Sequence, residues 1–157
     1  MEQQSDYLRQ ALELAYAHAE RGGRPFGAVV VKDGKIIARA VNEIIGTNDP
    51  TAHAELLAIR AASQHLGSPR LDGCAVYASG HPCPMCMGAM RLSGIQEVAY
   101  AYSNEDGEPF GMSTAAVYAD LAKPFDQQSM KIRHVPVRLD GRQDLYADWQ
   151  ARSLNRR

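Results

Sequence analysis

His53-Ala54-Glu55, followed later in the chain by Pro82-Cys83-Pro84-Met85-Cys86, constrains this sequence more than any other feature. The two segments supply one imidazole and two thiols, with a carboxylate two residues past the imidazole. Zinc takes thiolate sulfur and imidazole nitrogen, and a Cys₂His set fills three of its four tetrahedral positions. Cys83 and Cys86 stand three apart, so one turn at the start of a helix can aim both sulfurs at one ion. Pro82 and Pro84 suit a helix entrance, where a missing N–H costs nothing. The positive end of that helix also favours ionised thiols. His53 arrives from a second helix opening near Thr51. A fold that carries this motif must therefore bring two helix starts together around one ion.

The fourth tetrahedral position is left for water, made acidic by the ion. Glu55 is close enough to reach that water without binding the metal, and can take a proton from it and return it. The carbon attacked is sp² and carries an amino group beside a ring nitrogen, so the expected reaction is hydrolytic deamination of an amino heterocycle. Other readings of the cysteines exist. A structural zinc needs four closed protein ligands, with His81 as the fourth candidate. Against it, His53 comes with Glu55, and a chain of 157 residues does not need a metal to fold. A Cys₂His zinc also occurs in alcohol dehydrogenases, but no G-x-G-x-x-G fingerprint is present. A Cys83–Cys86 disulfide is the third option.

The length predicts one domain spanning 1–157 with a proper core. Apolar content of 45% and charged content of 22% are those of an ordinary globular protein. No apolar run reaches transmembrane length. The polar start, Met1-Glu2-Gln3-Gln4-Ser5-Asp6, lacks the regions of a signal peptide, so a cytoplasmic location with reduced thiols is expected. Cys74 reads as a small buried residue opening a strand. With a net charge of −1 and a pI near 6.5, the chain lacks the basic excess of a polynucleotide binder. Arg152, Arg156 and Arg157 form the one basic cluster, a solvated helix end. The composition favours a small-molecule partner over a nucleic acid or a membrane.

Leu8, Ala11, Leu12, Ala15 and Ala19 give residues 6–21 the apolar face of a first helix, capped by Ser5 or Asp6 and ended by Gly22-Gly23. Residues 26–31 and 36–41 are strand-like, and Lys32-Asp33-Gly34-Lys35 between them carries a hairpin signal. A second helix is predicted over 52–66, a third strand over 75–79, a third helix over 84–93 and a fourth strand over 96–102. Thr114 to Leu121 reads as a short helix. Lys131 to Leu139 reads as a fifth strand, with Pro136 placing it at an edge or bulge. Gln143 to Ser153 closes the chain as a helix. Strands interleaved with helices predict an α/β, three-layer α-β-α sandwich around a five-stranded mixed sheet.

Several segments carry a resemblance: Gly23-Arg24-Pro25-Phe26-Gly27-Ala28-Val29, Asn48-Asp49-Pro50-Thr51-Ala52-His53-Ala54-Glu55, Ala58-Ile59-Arg60, and Pro82-Cys83-Pro84-Met85-Cys86-Met87-Gly88-Ala89. With these the chain resembles the cytidine deaminase superfamily over nearly its whole length, and within it the bacterial guanine deaminases. Val117-Tyr118 and Lys123-Pro124 are similar to guanine deaminases and separate them from tRNA adenosine deaminases, which share the run from Asp49 to Glu55. The resemblance implies a cytidine deaminase-like fold, zinc on His53, Cys83 and Cys86, and Glu55 as catalytic proton shuttle. It implies that Asn42 hydrogen-bonds the base, that the Ala54 backbone meets a ring substituent and that Phe26 packs on the ring. Read as residues alone, Asn42 is equally a turn residue and Phe26 a core aromatic. The resemblance also implies a homodimer, with C-terminal segments that subunits can exchange. Departures stand at Gly111-Met112-Ser113-Thr114, where guanine deaminases tend to carry an acidic stretch, at His81 in place of a frequent Glu, and at the C-terminal Asn155-Arg156-Arg157. They leave open another aminated purine, pyrimidine, pteridine or triazine as substrate. A tRNA adenosine deaminase and a non-enzymatic zinc-stabilised subunit are the competing functions.

Overall fold

Asp33 and Gly34 both take left-handed backbone, with φ of 50° and 75°. A two-residue hairpin loop needs that geometry, because its twist matches the twist of the flanking strands. It joins β1 (Gly27–Lys32) to β2 (Lys35–Val41) as an antiparallel pair. On its other side β1 pairs antiparallel with β3 (Cys74–Gly80), and β3 pairs in parallel with β4 (Glu97–Tyr102). The sheet order is β2-β1-β3-β4. The parallel step needs a crossover, which α4 (Pro84–Ser93) provides.

The computed structural model describes residues 1–156, so Arg157 of the basic cluster lies outside the described residues. The chain divides into two compact units, Met1–Ala122 and Lys123–Arg157. The first holds the sheet together with α1 (Glu2–Glu20), α2 (Ile44–Thr47), α3 (Ala54–Leu66), α4, α5 (Asn104–Gly107) and α6 (Ala115–Leu121). Alternation along β1 separates two cores. Val29 and Val31 pack with Tyr77 and with Tyr7 of α1. Ala28 and Val30 join Val76 in a cluster with Ala58 and Ala62 of α3 and with Cys86 and Met90 of α4. Val30 and Val76 are fully buried, and each stabilises the fold by about 1.5–3 kcal/mol as an upper bound. The result is an α/β fold with a mixed sheet and helices on both faces.

Two expectations are corrected. The sheet has four strands, not five: residues 131–139 form no strand among the described residues. Alternating Val135, Val137 and Leu139 gave the pattern, but all three are exposed in this single chain. Pro136 also removes a ladder donor, and among the described residues the segment joins no strand of the sheet. Helix α1 begins at Glu2 rather than near Asp6. Gln3 Nε2 donates to Tyr7 Oη (2.9 Å), and Tyr7 Oη donates to the Gly34 carbonyl (2.8 Å), which holds an extra turn of helix against the hairpin. Asp6 binds Arg9 instead of capping.

The second unit contains a 3₁₀ turn at Phe125–Gln127 and α7 (Leu145–Leu154). Within α7, Arg152 Nε donates to Asp148 Oδ2 at 2.8 Å, an i,i+4 pair. Among the described residues no helix is long and apolar enough to cross a membrane.

Candidate metal centre and active site

His53 is the N-cap of α3 and Cys83 the N-cap of α4, both with extended backbone. Neither side chain caps its own helix. Pro84 occupies the first turn of α4, as its fixed φ and missing N–H allow, and Cys86 stands two residues further along. The loop ahead of His53 is rigid: Asp49 Oδ1 accepts from both the Thr51 N–H (2.8 Å) and the Thr51 hydroxyl (2.7 Å). The Glu43 N–H donates to the Ala52 carbonyl at 2.9 Å. The Thr51 hydroxyl, and then the Thr51 N–H, hold the Asp49 carboxyl below its usual range.

The three donors converge. His53 Nδ1 lies 3.3 Å from Cys83 Sγ and 3.5 Å from Cys86 Sγ, and the two sulfurs are 3.6 Å apart. Zn–S and Zn–N bonds at tetrahedral angles put S···N near ~3.6 Å and S···S near ~3.8 Å. The donor triangle therefore has the size that zinc requires. Both cysteines are free thiols, which excludes the disulfide in this structure. Among the described residues this is the one group of three or more histidine, cysteine, aspartate or glutamate side chains placed to hold a metal ion.

Charge tells the same story. The hydrogen bond shared with Cys86 lowers the Cys83 thiol to about 4, with His53 adding to the effect. The same bond, together with burial, pushes Cys86 up. The His53 imidazole is raised, chiefly by its hydrogen bond with Cys83. On their own the two sulfurs thus share a single negative charge, and a bound dication is what lets both ionise. The donor set fits zinc.

Glu55, in the first turn of α3, is buried at 7% exposure. Burial raises its carboxyl, and a hydrogen bond with Cys86 partly offsets that. It lines a cavity of about 70 Å³ with His53, Cys83, Asn42, Phe26 and Arg24. Asn42 is buried, and its Oδ1 accepts from the Ile44 N–H at 3.1 Å. It is therefore a turn residue whose side chain also lines the cavity. Phe26 is half-buried and packs against the core around α3 and α4. Ala54 is fully buried at the first position of α3, where a helix leaves its N–H unpaired.

His81 is not part of the donor group. Its ring sits between those of Tyr100 and Tyr118, at centroid distances of 4.6 and 5.5 Å. Sequence reasoning did not single out Arg24 or Tyr118 as site residues. Arg24 lines the cavity, and its place beside Phe26 in the Gly23-Arg24-Pro25-Phe26 run was the available signal. The Tyr118 hydroxyl donates to the Pro82 carbonyl just ahead of the first cysteine. A larger cavity of about 460 Å³ lies on the α1 side of Phe26, lined by Leu12, Tyr16 and Phe110. It contains none of the metal donors, so the chemistry belongs to the smaller one.

Fold and donor set together define a zinc-binding deaminase-like domain. The family described as the cytidine and deoxycytidylate deaminase zinc-binding region matches residues 1–102, and the chain belongs to it. The chain is 42% identical over 132 residues to the guanine deaminase of Bacillus subtilis (strain 168), covering 83% of this chain and 85% of that protein. The solved structure of guanine deaminase from Bacillus subtilis superposes with a TM-score of 0.83, covering 96% of this chain and 93% of that one at 37% identity. A tRNA-specific adenosine deaminase of Aquifex aeolicus is 43% identical over 95 residues, 60% of this chain and 63% of that protein. A further solved structure, in complex with 2,6-diaminopurine, is 31% identical with a TM-score of 0.66, covering 69% of this chain and 61% of that one.

Proposed function

We propose that this chain is a zinc-dependent aminohydrolase: an amino heterocycle plus water gives the oxo heterocycle plus ammonia, with guanine the first substrate to test. The observation that carries this reading is the buried Glu55 carboxyl beside a three-donor metal set, on the wall of one cavity. Zinc, when bound, supplies Lewis acidity and an acidic water at neutral pH. His53, Cys83 and Cys86 hold it. Glu55 carries two protons in turn: one taken from the attacking water goes to a ring nitrogen, and a second, taken from the hydroxyl that the attack leaves on the ring carbon, goes to the amine, which departs as ammonia. Asn42 orients the base through its amide NH₂, the Ala54 N–H meets a ring substituent, and Phe26 packs on the ring face. Burial raises the carboxyl of Glu55, which suits a group that must both accept and return a proton.

The similarity to guanine deaminases over most of both chains supports a free base as substrate. The match to tRNA-specific adenosine deaminases favours anticodon adenosine as a second reading, and the net charge of −1 speaks against it. A silent zinc subunit would have no use for a buried carboxyl beside the donors. Residues 1–157 act as one deaminase domain, in the cytoplasm, as a homodimer. The separate compact unit from Lys123 onward, with Val137, Leu145 and Trp149 exposed in the single chain, supports exchange of C-terminal segments between subunits.

Ammonia release is to be measured across free bases, nucleosides and an anticodon stem-loop. Turnover of a base supports the reading, turnover of the stem-loop alone replaces it with the second, and turnover of none refutes both. Glu55→Gln should keep stoichiometric zinc and lose about 10²–10⁴-fold in turnover; undiminished activity would remove Glu55 from its role.

A further inference from the structure

Three buried polar side-chain atoms on the wall of the Glu55 cavity have no hydrogen-bond partner: Arg24 Nε, His81 Nδ1 and Thr114 Oγ1. Buried polar atoms are nearly always paired, so three orphans on one cavity point to a ligand. Each is held in place by other contacts. Thr114 is the N-cap of α6, yet its side chain makes no cap bond. Its N–H is instead fixed by Oδ1 of the buried Asn104 at 3.1 Å. The His81 ring lies tilted against Tyr100 and edge-on to Tyr118, and the His81 backbone N–H donates to the Tyr102 carbonyl at 2.8 Å. The Arg24 guanidinium lies 5.8 Å from the Phe26 ring centroid, with a soft 3.8 Å contact to Met112 Sδ. Among the described residues no carboxylate pairs with it.

The inventory of this wall is one-sided. Arg24 can only donate, and a threonine hydroxyl and a histidine ring adapt to either role. Asn42 has spent its Oδ1 on the Ile44 N–H, which leaves donors there too. The one carboxyl on the cavity, Glu55, is at the reacting end. We propose that Arg24, with Thr114 and His81 beside it, is the specificity-determining wall and reads an oxygen acceptor on the ring. The chain then selects amino-oxo heterocycles over the same rings lacking the oxo group. This rests on the deaminase reading given above. A substrate without the acceptor would seal the guanidinium in unpaired, the situation in which polar sites discriminate most strongly.

The test uses zinc-loaded Glu55→Gln protein, which binds without turning over, and ligand pairs differing at the oxo group: guanine against 2-aminopurine and 2,6-diaminopurine, isocytosine against 2-aminopyrimidine. Calorimetric titration should show the oxo member binding at least ~100-fold more tightly. Adding Arg24→Met should weaken the oxo member by about 10–100-fold and its partner by less than about 3-fold. Arg24→Lys should recover part of the loss. If Arg24→Met perturbs folding, Thr114→Val gives the same readout with a smaller change. Equal affinity within the pairs, binding of neither member, or an equal loss for both on Arg24→Met overturns the inference. Ammonia release by the unaltered protein is scored separately. Pair discrimination without turnover defeats the deaminase reading alone, and turnover without discrimination defeats this one alone.

Discussion

Replacing Gly27 with alanine should strike the site through its scaffold. Gly27 opens β1 immediately after Phe26, and its N–H donates to Ser79 Oγ at 3.0 Å. A Cβ there would lie 2.4 Å from the Ala11 carbonyl oxygen and 2.8 Å from Leu14 Cβ, both on α1. Backbone cannot yield as a flexible side chain does, so strand and helix must part by roughly half an ångström or more, an overpacking that costs about 1–3 kcal/mol. Alanine recovers ~0.4–1 kcal/mol by restricting the unfolded chain. The net loss is then about 1–2 kcal/mol, or a Tm lower by roughly 2–8 °C for a chain of this size. Gly88 is the control: it lies inside α4, and a Cβ there meets nothing within 4 Å. Gly88→Ala should therefore stabilise by about 0.5–1 kcal/mol. Urea unfolding at constant m reads both changes, and kcat/KM should fall only for Gly27→Ala, because that strand start carries Phe26. Wild-type stability for Gly27→Ala, or the same loss at both glycines, would refute the packing argument.

Other outcomes follow from individual side chains. Cys83→Ala should abolish stoichiometric zinc by elemental analysis, while Cys74→Ala, at a buried strand position away from the donors, should keep it all. Chelation of the native protein should lower Tm, since an ion at a thousandfold its Kd contributes about 4 kcal/mol; an unchanged melting curve would show that the metal does not bind the folded state. Ser103 and Asp106 form a capping box at α5. The Ser103 N–H and then its hydroxyl hold the Asp106 carboxyl below its ordinary value near 3.8. A depressed folded value means that the bond stabilises above the unfolded value and fades as pH falls through the folded one. NMR titration should find Asp106 protonating below 3.8, and an ordinary value there would contradict the box.

What the sequence disclosed and what it concealed divide by range. The metal donors were legible because each sits within a few residues of a helix start, and Pro84 and the loop Asn48 to Thr51 mark those starts locally. The hairpin at Asp33-Gly34 was legible for the same reason. The absent fifth strand was not. Val135, Val137 and Leu139 alternate as a strand should, but alternation names a half-buried face and never the neighbour that would bury it. The early start of α1 depended on Gln3 and Tyr7 reaching a hairpin turn far along the chain. Asn42 is the turn residue that its propensity suggests, and its side chain also lines the cavity, which no local propensity could have shown. Arg24 and Thr114 stayed hidden because an orphaned polar atom is defined by what surrounds it in three dimensions.

The two helix N-caps that serve as metal ligands have a consequence for how the protein comes apart. Helices prefer to tie off their first turn with a side-chain oxygen from their own chain; the N-caps of α3 and α4, His53 and Cys83, make no such bond and are placed to hold the ion instead. One bound atom therefore replaces two separate fastenings. Stripping it should loosen both first turns in concert, so the amides of Leu57 and Met87, which close those turns onto the His53 and Cys83 carbonyls, would lose exchange protection as a pair.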